Sequence, residues 1–347
     1  MKKTKKALAL ILAGMMAASM TACGSGKTAE TTQAAADTTV AESADETKAE
    51  ASADGASYKV GICQLVQHVA LDAATQGFKD ALTEALGDQV TFDEQNAQGD
   101  SNTCSTIINN FVAEDVDLIL ANATPALQAA QAGTDTIPVL GTAVTEYGVA
   151  LGIDDFNGTV GGNISGTADL APLNEQAAML KELFPDAKNV GLLYCSAEAN
   201  SQYQVDTVKA ELEKLGYTCE YYAFSDSNDL ATIATNAANS SDVIYIPTDN
   251  TAAANTEIIN NICQPAGVPI IAGEEGICSG CGVATLSISY YDLGAATGKM
   301  AAKILTGESN ISEMPIEYAP QFTKKYNKTI CEALGITVPD DYIAIEE

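Results

Sequence analysis

Short polar and acidic side chains stand directly after apolar segments of this chain, where they could hold a small charged molecule. The residues we single out as ligand-binding candidates are Gln64, Thr124, Thr145, Asn200, Ser201, Thr248, Asp249, Asn250 and Glu275. A helix start offers unpaired N–H donors and a positive dipole end, so Thr124 and Ser201 could help to hold a carboxylate. The carboxylate of Asp249 or Glu275 could pair with an ammonium group. Together these groups favour a zwitterion such as an α-amino acid.

Several of these residues also have a purely structural interpretation. Thr124 before Pro125 is typical of a helix N-cap followed by proline at the first helical position. Residues 201–204 fit a capping box, and Asp249 could be another N-cap. The acidic pair at 274–275 could be a solvated turn. The capping and binding interpretations are compatible, because a helix start can be capped and still present N–H donors to a ligand.

The composition excludes several kinds of site. All 17 basic residues are lysine, against 46 acids, so the 347-residue chain has a net charge of −29, no arginine and a single histidine. So acidic a chain lacks the clustered cations that nucleic-acid binding needs. One histidine argues against His-centred triads and multi-His metal sites; His68 itself has either a local structural role or a place in a cleft. We expect no catalytic residue, no cofactor and no metal.

An enzyme is the remote alternative. A hydrolase could use paired carboxylates or a reactive cysteine, but a nucleophile needs a nearby base, and the chain offers one histidine. No glycine-rich phosphate motif follows a strand. We therefore expect a binding protein and not an enzyme.

The N-terminus predicts export. Residues 1–22 join four lysines to an apolar stretch too short for a typical membrane span, as in a signal peptide. The run at 20–23 resembles a bacterial lipobox, which would make Cys23 the lipidated first residue; an ordinary secretory signal is the alternative. Residues 23–57 have no apolar periodicity and should form a disordered tether. We expect a protein that is lipid-anchored to the outer face of the cell membrane and contacts the membrane only through that anchor.

The remaining chain alternates strands and helices twice. This pattern predicts an α/β fold of two Rossmann-like parallel-sheet lobes joined by a hinge, with a ligand cleft between them at the carboxyl ends of the strands. We expect 58–168 plus 290–315 in the N-terminal lobe, and 169–289 plus 316–347 in the C-terminal lobe. The predicted strands are 58–64, 90–96, 116–121, 137–142, 190–195, 217–223, 242–246, 268–272, 283–288 and 316–318, with late helices at 290–305 and 324–334.

A family resemblance rests on stretches in fixed order along the chain. The segments 64–82, 96–100, 111–130, 196–201, 246–251, 272–276 and 290–305 resemble bacterial ABC-transporter substrate-binding lipoproteins, most closely those of tryptophan/tyrosine transport. The resemblance implies a type I periplasmic-binding-protein-like fold, an aromatic amino acid as ligand, and delivery to an ABC permease with a cytoplasmic ATPase. The segment 152–169 departs from the family pattern, which leaves a branched-chain amino acid, a sugar or a nucleoside as alternatives. A monomer is the simplest expectation.

Eight cysteines follow Cys23, mostly within predicted strands and helices. They are interpreted as buried thiols that act as small hydrophobes. A disulfide between Cys278 and Cys281 is the alternative.

Overall fold

The computed structural model describes residues 57–346. The signal peptide, the lipidation site at Cys23 and the tether lie outside these residues, except for Ser57. In the first half of the chain, strands and helices alternate in the order β1 (Tyr58–Gln64), α1 (Val69–Leu86), β2 (Val90–Asn96), α2 (Ser101–Ala113), β3 (Leu118–Asn122), α3 (Thr124–Gly133), β4 (Val139–Val144), α4 (Tyr147–Leu151) and β5 (Ile164–Ala168).

The second half repeats this order and then adds a tail. Its elements are α5 (Leu173–Leu183), β6 (Asn189–Cys195), α6 (Ala199–Lys214), β7 (Thr218–Phe224), α7 (Ser227–Ser240), β8 (Val243–Ile246), α8 (Asn250–Ala253), α9 (Thr256–Cys263), β9 (Ile270–Ala272), α10 (Glu275–Cys281) and β10 (Ala284–Ser287). The tail contains α11 (Tyr290–Leu305), β11 (Glu317–Tyr318), β12 (Thr323–Tyr326), α12 (Lys328–Leu334) and β13 (Ile343–Ala344).

Two sheets with the same topology organise the fold. The first has the strand order β11-β5-β4-β3-β1-β2, and the second has β13-β12-β10-β9-β8-β6-β7. All pairs are parallel except β10 with β12. The order 5-4-3-1-2 of the first sheet recurs as 10-9-8-6-7 in the second. The prediction of two parallel-sheet α/β lobes is confirmed.

Strand β3 shows why both faces of a sheet are covered. Its residues are all buried, and successive side chains point to opposite faces. Leu118 and Leu120 pack on one face with Phe78 of α1. Ile119 packs on the other face with Phe111 of α2. A strand of this kind appears in the sequence as a continuous apolar run, which is why it could be predicted.

Helix α11 returns to the first lobe and packs closely against α1. A Cβ atom added to Gly294 would lie 1.9 Å from the carbonyl oxygen of Ala74, and one added to Gly77 would lie 2.1 Å from that of Tyr291. Only glycine allows the two backbones to come this close. This contact fixes α11, and with it Tyr290 at the helix start.

Two predictions about the tail need correction. Residues 317–318 pair with 167–168 of the first sheet, so the predicted return to the second lobe at 316 comes too early. The helix predicted for 324–334 begins only at Lys328, because Thr323–Tyr326 form a strand antiparallel to β10. Asn327 ends that strand and caps α12 by accepting the N–H of Ile330 at 3.0 Å.

All eight cysteines in the described part of the chain are free thiols, and seven of them are buried. Cys278 and Cys281 do not form the alternative disulfide; the thiol of Cys281 donates to the carbonyl of Ile277 at 3.3 Å. The interpretation as buried thiols is confirmed in this structure. Within residues 57–346, every helix is too short or too polar to cross a membrane.

Candidate functional site

A small enclosed cavity lies between the two lobes, beyond the carboxyl ends of both parallel sheets. Its volume is about 10 Å³, which is on the order of one water molecule. Both lobes and the segments that connect them contribute to the wall. The lining residues are His68, Leu71, Ala143, Thr145, Asp169, Asn200, Thr248, Asp249, Asn250, Ala253, Glu274 and Tyr290.

The wall of this cavity is acidic. Asp169, Asp249 and Glu274 line it and are each at most 4% exposed. Glu198 is buried beside them. No lysine lines the cavity, and the chain has no arginine. Buried carboxylates without a cationic partner are costly, so this arrangement is suited to a cation that arrives with a ligand.

Asp249 caps a short helix. Its two carboxylate oxygens accept the N–H groups of Ala252 at 2.8 Å and Cys195 at 2.7 Å. Burial, followed by repulsion from Glu198, raises the pKa of Asp249 to about 7. The N-cap interpretation is therefore confirmed, and the carboxylate also stands at the cavity wall.

Glu198 holds the same helix from a different loop. It accepts the N–H of Asn250 at 3.1 Å and that of Thr251 at 2.9 Å. It also accepts hydrogen bonds from the side chains of both residues, at 2.6 Å and 2.8 Å respectively. With a fifth donor, Nδ2 of Asn200 at 3.4 Å, Glu198 serves to fix the turn that carries Asn250.

Asp169 keeps one oxygen free. The Tyr290 hydroxyl donates to its Oδ2 at 2.9 Å, whereas Oδ1 is buried and has no hydrogen-bond partner. Burial raises the pKa of this carboxyl group. The contact also joins two segments that connect the lobes, because Asp169 follows β5 and Tyr290 follows β10. An unpaired carboxylate oxygen at a cavity wall is an acceptor available to a ligand.

His68 reaches across the cleft. Its Nε2 lies 3.2 Å from Oδ1 of Asn250 in the other lobe, and its Nδ1 is buried without a partner. Burial is the main cause that lowers the pKa of this imidazole. Asn200 likewise has an unpartnered oxygen, Oδ1, at the cavity wall. Within residues 57–346, six buried side-chain polar atoms lack a partner, and three of them belong to the lining of this one cavity.

Two residues near the carboxyl ends of strands in the first lobe have unusual backbone dihedral angles. Ala123 has φ 91° and Ala143 has φ 51°, a region that alanine rarely adopts. Ala123 directly follows β3, and Ala143 is the penultimate residue of β4, where the register with β5 shifts. Such strain costs on the order of 1 kcal/mol or more and is typical of functional turns.

The chain is similar to known proteins over almost its whole described length. Residues 59–345 match the family model described as ABC transporter substrate binding protein. The chain is an ABC transporter substrate-binding protein. A tyrosine-binding protein of Clostridioides difficile (strain R20291) is 34% identical over 341 residues, which cover 97% of this chain and 94% of that protein.

Two solved structures are similar to this substrate-binding protein over most of its length. An ABC domain from Streptococcus pneumonia in complex with L-Trp has a TM-score of 0.78 at 34% identity, covering 82% of this chain and 97% of that chain. The ligand-free, open structure of a substrate-binding protein with adhesive properties from Clostridium difficile has a TM-score of 0.63 at 36% identity. The match covers 83% of this chain and 99% of that chain. Proteins of this family bind a small molecule outside the cytoplasm for an ABC permease and its ATPase; they are not enzymes.

The substrate-binding protein brings most of the predicted site residues to one place. Five of the nine line the cavity: Thr145, Asn200, Thr248, Asp249 and Asn250. Three others are buried near strand ends but outside the lining, namely Gln64, Thr124 and Ser201. Glu275 is partly exposed and forms an ion pair with Lys325 at 2.6 Å.

Gln64 is engaged within its own lobe. Its Nε2 donates to Asp72 at 2.7 Å and to the carbonyl of Val66 at 2.9 Å, and its Oε1 accepts the Thr75 hydroxyl at 2.6 Å. These contacts fix the turn after β1 that leads to His68.

Two capping predictions and one turn prediction differ from the structure. Helix α3 begins at Thr124 with Ala123 in the N-cap position, so Thr124 is the first helical residue. Helix α6 begins at Ala199 after Glu198, which places 201–204 inside the helix and excludes the predicted capping box. Glu274 is 2% exposed and accepts the N–H of Gly276 at 2.6 Å, so it is a buried cap and not part of a solvated turn.

Sequence reasoning missed two acids of this site. Glu198 stands within the 198–201 turn, but only its neighbours Asn200 and Ser201 were selected. Asp169 ends the segment that departs from the family pattern, and it was not selected. Glu198 lies three residues after β6, so its position offered a signal, whereas Asp169 follows β5, a strand that the sequence pattern does not predict.

Two larger cavities flank the enclosed one. One, of about 210 Å³, lies between the loops around Leu65 and Pro125 of the first lobe and Ala197 of the second. The other, of about 310 Å³, shares Glu274 and Tyr290 with the enclosed cavity, and α1 contributes Val69, Ala70 and Ala73 to its wall. Within the described residues, no group of three or more His, Cys, Asp and Glu side chains is arranged to hold a metal ion.

Proposed function

We propose that this substrate-binding protein captures an aromatic amino acid, tyrosine or tryptophan, by closure of its two lobes. The observation that carries the proposal is the enclosed cavity between the lobes, which has three buried carboxylates in its wall and no cationic side chain. The tyrosine-binding relative and the L-Trp complex support the choice of an aromatic side chain.

The ligand ammonium supplies the missing positive charge. At the wall, Asp169 offers a free carboxylate oxygen, whereas both oxygens of Asp249 already accept backbone N–H groups. We therefore assign the ammonium contact to Asp169 first, with Asp249 adding charge without a free oxygen. A charge pair formed in a desolvated cleft is favourable when each partner has its hydrogen bonds satisfied.

The ligand carboxylate has no guanidinium to bind, since the chain contains no arginine. Lys325 lines the flanking cavity but is already paired with Glu275 at 2.6 Å, which leaves hydroxyl groups and the N–H groups at helix starts as donors. Thr124 is the first residue of α3, and Ser201 lies in the first turn of α6. These two residues remain our candidates for the carboxylate.

The aromatic ring fits the flanking cavity of about 310 Å³. Its wall includes the apolar residues Ala70, Ala73 and Ile288 as well as the charged residues Glu275, Lys325 and Glu346, and it shares Glu274 and Tyr290 with the enclosed cavity. Apolar walls with a few polar groups at one end are typical of small-molecule sites.

Ligand entry requires the lobes to part, because a cavity of about 10 Å³ cannot admit an amino acid. The TM-score is higher with the L-Trp complex than with the open, ligand-free structure, at nearly equal identity and coverage. The described lobes are thus closer to the arrangement of the bound relative. A ligand that contacts both lobes shifts the equilibrium toward closure by its additional contacts in the closed form.

Anchoring completes the proposed role. Cys23 would carry the lipid, residues 24–57 would form the tether, and a monomer would deliver ligand to the permease. Metabolic labelling with a radioactive fatty acid tests the anchor: label should enter the wild-type protein and be lost in Cys23→Ala. Equal labelling of both proteins would contradict it.

Thermal-shift and calorimetric measurements with one panel of compounds test the ligand class. The panel contains L-tyrosine, L-tryptophan, L-phenylalanine, L-leucine, D-glucose and uridine. A ligand at 100 times its Kd stabilises the folded protein by about 2.7 kcal/mol, so an aromatic amino acid should raise the Tm by several degrees. Stabilisation by glucose or uridine, with no response to any amino acid, would refute the proposal.

A further inference from the structure

The single histidine of the chain has an unusual position in the closed cleft. It belongs to the first lobe and precedes α1, yet its Nε2 contacts Asn250 of the second lobe at 3.2 Å. Its other ring nitrogen, Nδ1, is buried at the cavity wall without a partner. The ring therefore lies at the cavity wall with one nitrogen engaged across the cleft and the other unpaired.

The hydrogen bonds of Asn250 define the tautomer of His68. The Nδ2 of Asn250 donates to Glu198 at 2.6 Å, so the opposite atom, Oδ1, is the one that faces the imidazole. Since Oδ1 can only accept, Nε2 of His68 must carry the hydrogen. In the neutral ring Nδ1 is then an acceptor.

Three acceptors of this kind line the cavity. They are Nδ1 of His68, Oδ1 of Asp169 and Oδ1 of Asn200, and each is buried without a partner. A primary ammonium group has three N–H donors and no acceptor. The number and type of unpaired atoms in the wall therefore match one such group.

We propose that His68 is a specificity-determining residue for the ligand's primary ammonium: Nδ1 accepts one of its N–H groups while Nε2 joins the closed lobes through Asn250. The inference rests on the proposed function and adds the residue that couples ammonium recognition to closure. Asn200 and Asp169 accept the other two N–H groups. A ligand with fewer N–H groups leaves buried acceptors unpaired.

Binding in this form requires a neutral imidazole. A protonated His68 would present a donor to an ammonium and add a second positive charge. The charged groups facing His68 are Asp72 and Glu198, with Asp169, Asp249 and Glu274 around the same cavity. Opening releases His68 from Asn250 and from the burial that lowers its pKa, so its imidazole takes up a proton at higher pH in the open form than in the closed form. Protonation of the open form at pH 5.5 should therefore weaken binding about tenfold relative to pH 7.5.

The test compares His68→Asn and His68→Ala with wild type, using calorimetric titration with L-tyrosine and L-tryptophan from pH 5.5 to 7.5. Gln67→Ala, an exposed neighbour, is the matched control. His68→Ala should weaken binding at pH 7.5 about 10–100-fold, the usual cost of losing a hydrogen bond to a charged group. His68→Asn keeps an acceptor that does not titrate, so it should bind better than His68→Ala and lose the additional tenfold effect at pH 5.5. The cavity acids with raised pKa values, Asp169, Asp249 and Glu274, are present in both proteins, so the comparison is made between the two pH profiles and not at a single pH.

A second arm uses ligands in place of variants, so the proposal does not depend on a folded His68→Ala. N,N-Dimethyl-L-tyrosine has one N–H group and 3-(4-hydroxyphenyl)lactate has none; both should bind wild type at least tenfold more weakly than L-tyrosine. If wild type binds neither tyrosine nor tryptophan, the proposed function fails and the inference falls with it. If wild type binds them but His68→Asn shows the wild-type pH profile, or the dimethyl compound binds as well as tyrosine, only the role of His68 is refuted.

Discussion

Replacing Asp169 by asparagine should weaken ligand binding without destabilising the ligand-free protein. In wild type the Tyr290 hydroxyl donates to Oδ2 of Asp169 at 2.9 Å, and the asparagine oxygen can accept the same hydrogen bond. The substitution removes only the charge that faces the ligand ammonium. Removing one partner of a desolvated charge pair typically costs about 2–5 kcal/mol. Asp169→Asn should therefore raise the Kd for tyrosine roughly 30-fold or more.

The thermal stability of the ligand-free variant, in contrast, should not decrease. Burial raises the pKa of Asp169, which means that folding at neutral pH holds a carboxylate where its charge is unfavourable. An unfolded chain releases this proton at lower pH, so the folded state loses stability as pH rises from the unfolded to the folded pKa. Asparagine removes that loss, and the Tm of the ligand-free variant at pH 7.5 should equal or exceed that of wild type.

Calorimetric titration with L-tyrosine and thermal unfolding without ligand measure the two effects. Asp154→Asn makes the same change of charge at an exposed position and should alter neither value. Tyrosine affinity within twofold of wild type in a folded Asp169→Asn protein would refute the assignment of the ammonium to Asp169.

Three further measurements test other parts of the structure. Burial raises the pKa of Glu274 to about 7 from 4.5, so the free energy of unfolding of the ligand-free protein should fall as pH rises between those values. Glu274→Gln should flatten this dependence on pH, measured by urea titrations at several pH values; an unchanged dependence would contradict the burial of its charge. Gly294→Ala would place a Cβ 1.9 Å from the Ala74 carbonyl and should lower the free energy of unfolding by about 1–3 kcal/mol, whereas Lys299→Ala on the exposed side of the same helix should not; equal stability of the two variants would count against the close helix contact. A maleimide reagent should label Cys219 first in the native protein, because the other seven thiols of residues 57–346 are buried, and peptide mapping that finds several of them equally labelled before unfolding would be inconsistent with this core.

The repeated architecture could be predicted because the central strands are buried on both faces. Segments such as Leu118–Asn122 and Val243–Ile246 are continuous apolar runs bounded by polar turns, and helices of clear 3.6-residue periodicity separate them. That pattern depends on local sequence alone. It fixes the order of elements in both lobes.

Edge elements were harder to predict. Strand β12 has the sequence TKKY, which has no apolar alternation, and it was merged with the helix that follows. Its strand conformation depends on antiparallel pairing with β10, a contact between distant parts of the chain. The same reason explains the missed Ile164–Ala168, which is a strand because it lies between β4 and β11.

The sequence could place candidate residues at this cavity but could not predict their contacts. Polar residues after parallel strands meet at one edge of a sheet, and five of the nine candidates do line the cavity. Which acid keeps a free oxygen depends on hydrogen bonds that the sequence does not reveal. Asp249 uses both oxygens for backbone N–H groups, whereas Asp169 uses one.

Mass spectrometry of the small molecules released when the purified protein is denatured tests the central claim most directly. Protein purified rapidly from its own cells should carry a bound ligand, because closure buries it between the lobes. The released compound should be tyrosine or tryptophan, in an amount that approaches one per chain. Release of a sugar, a nucleoside or another compound without a primary ammonium group, at the same stoichiometry, would contradict it.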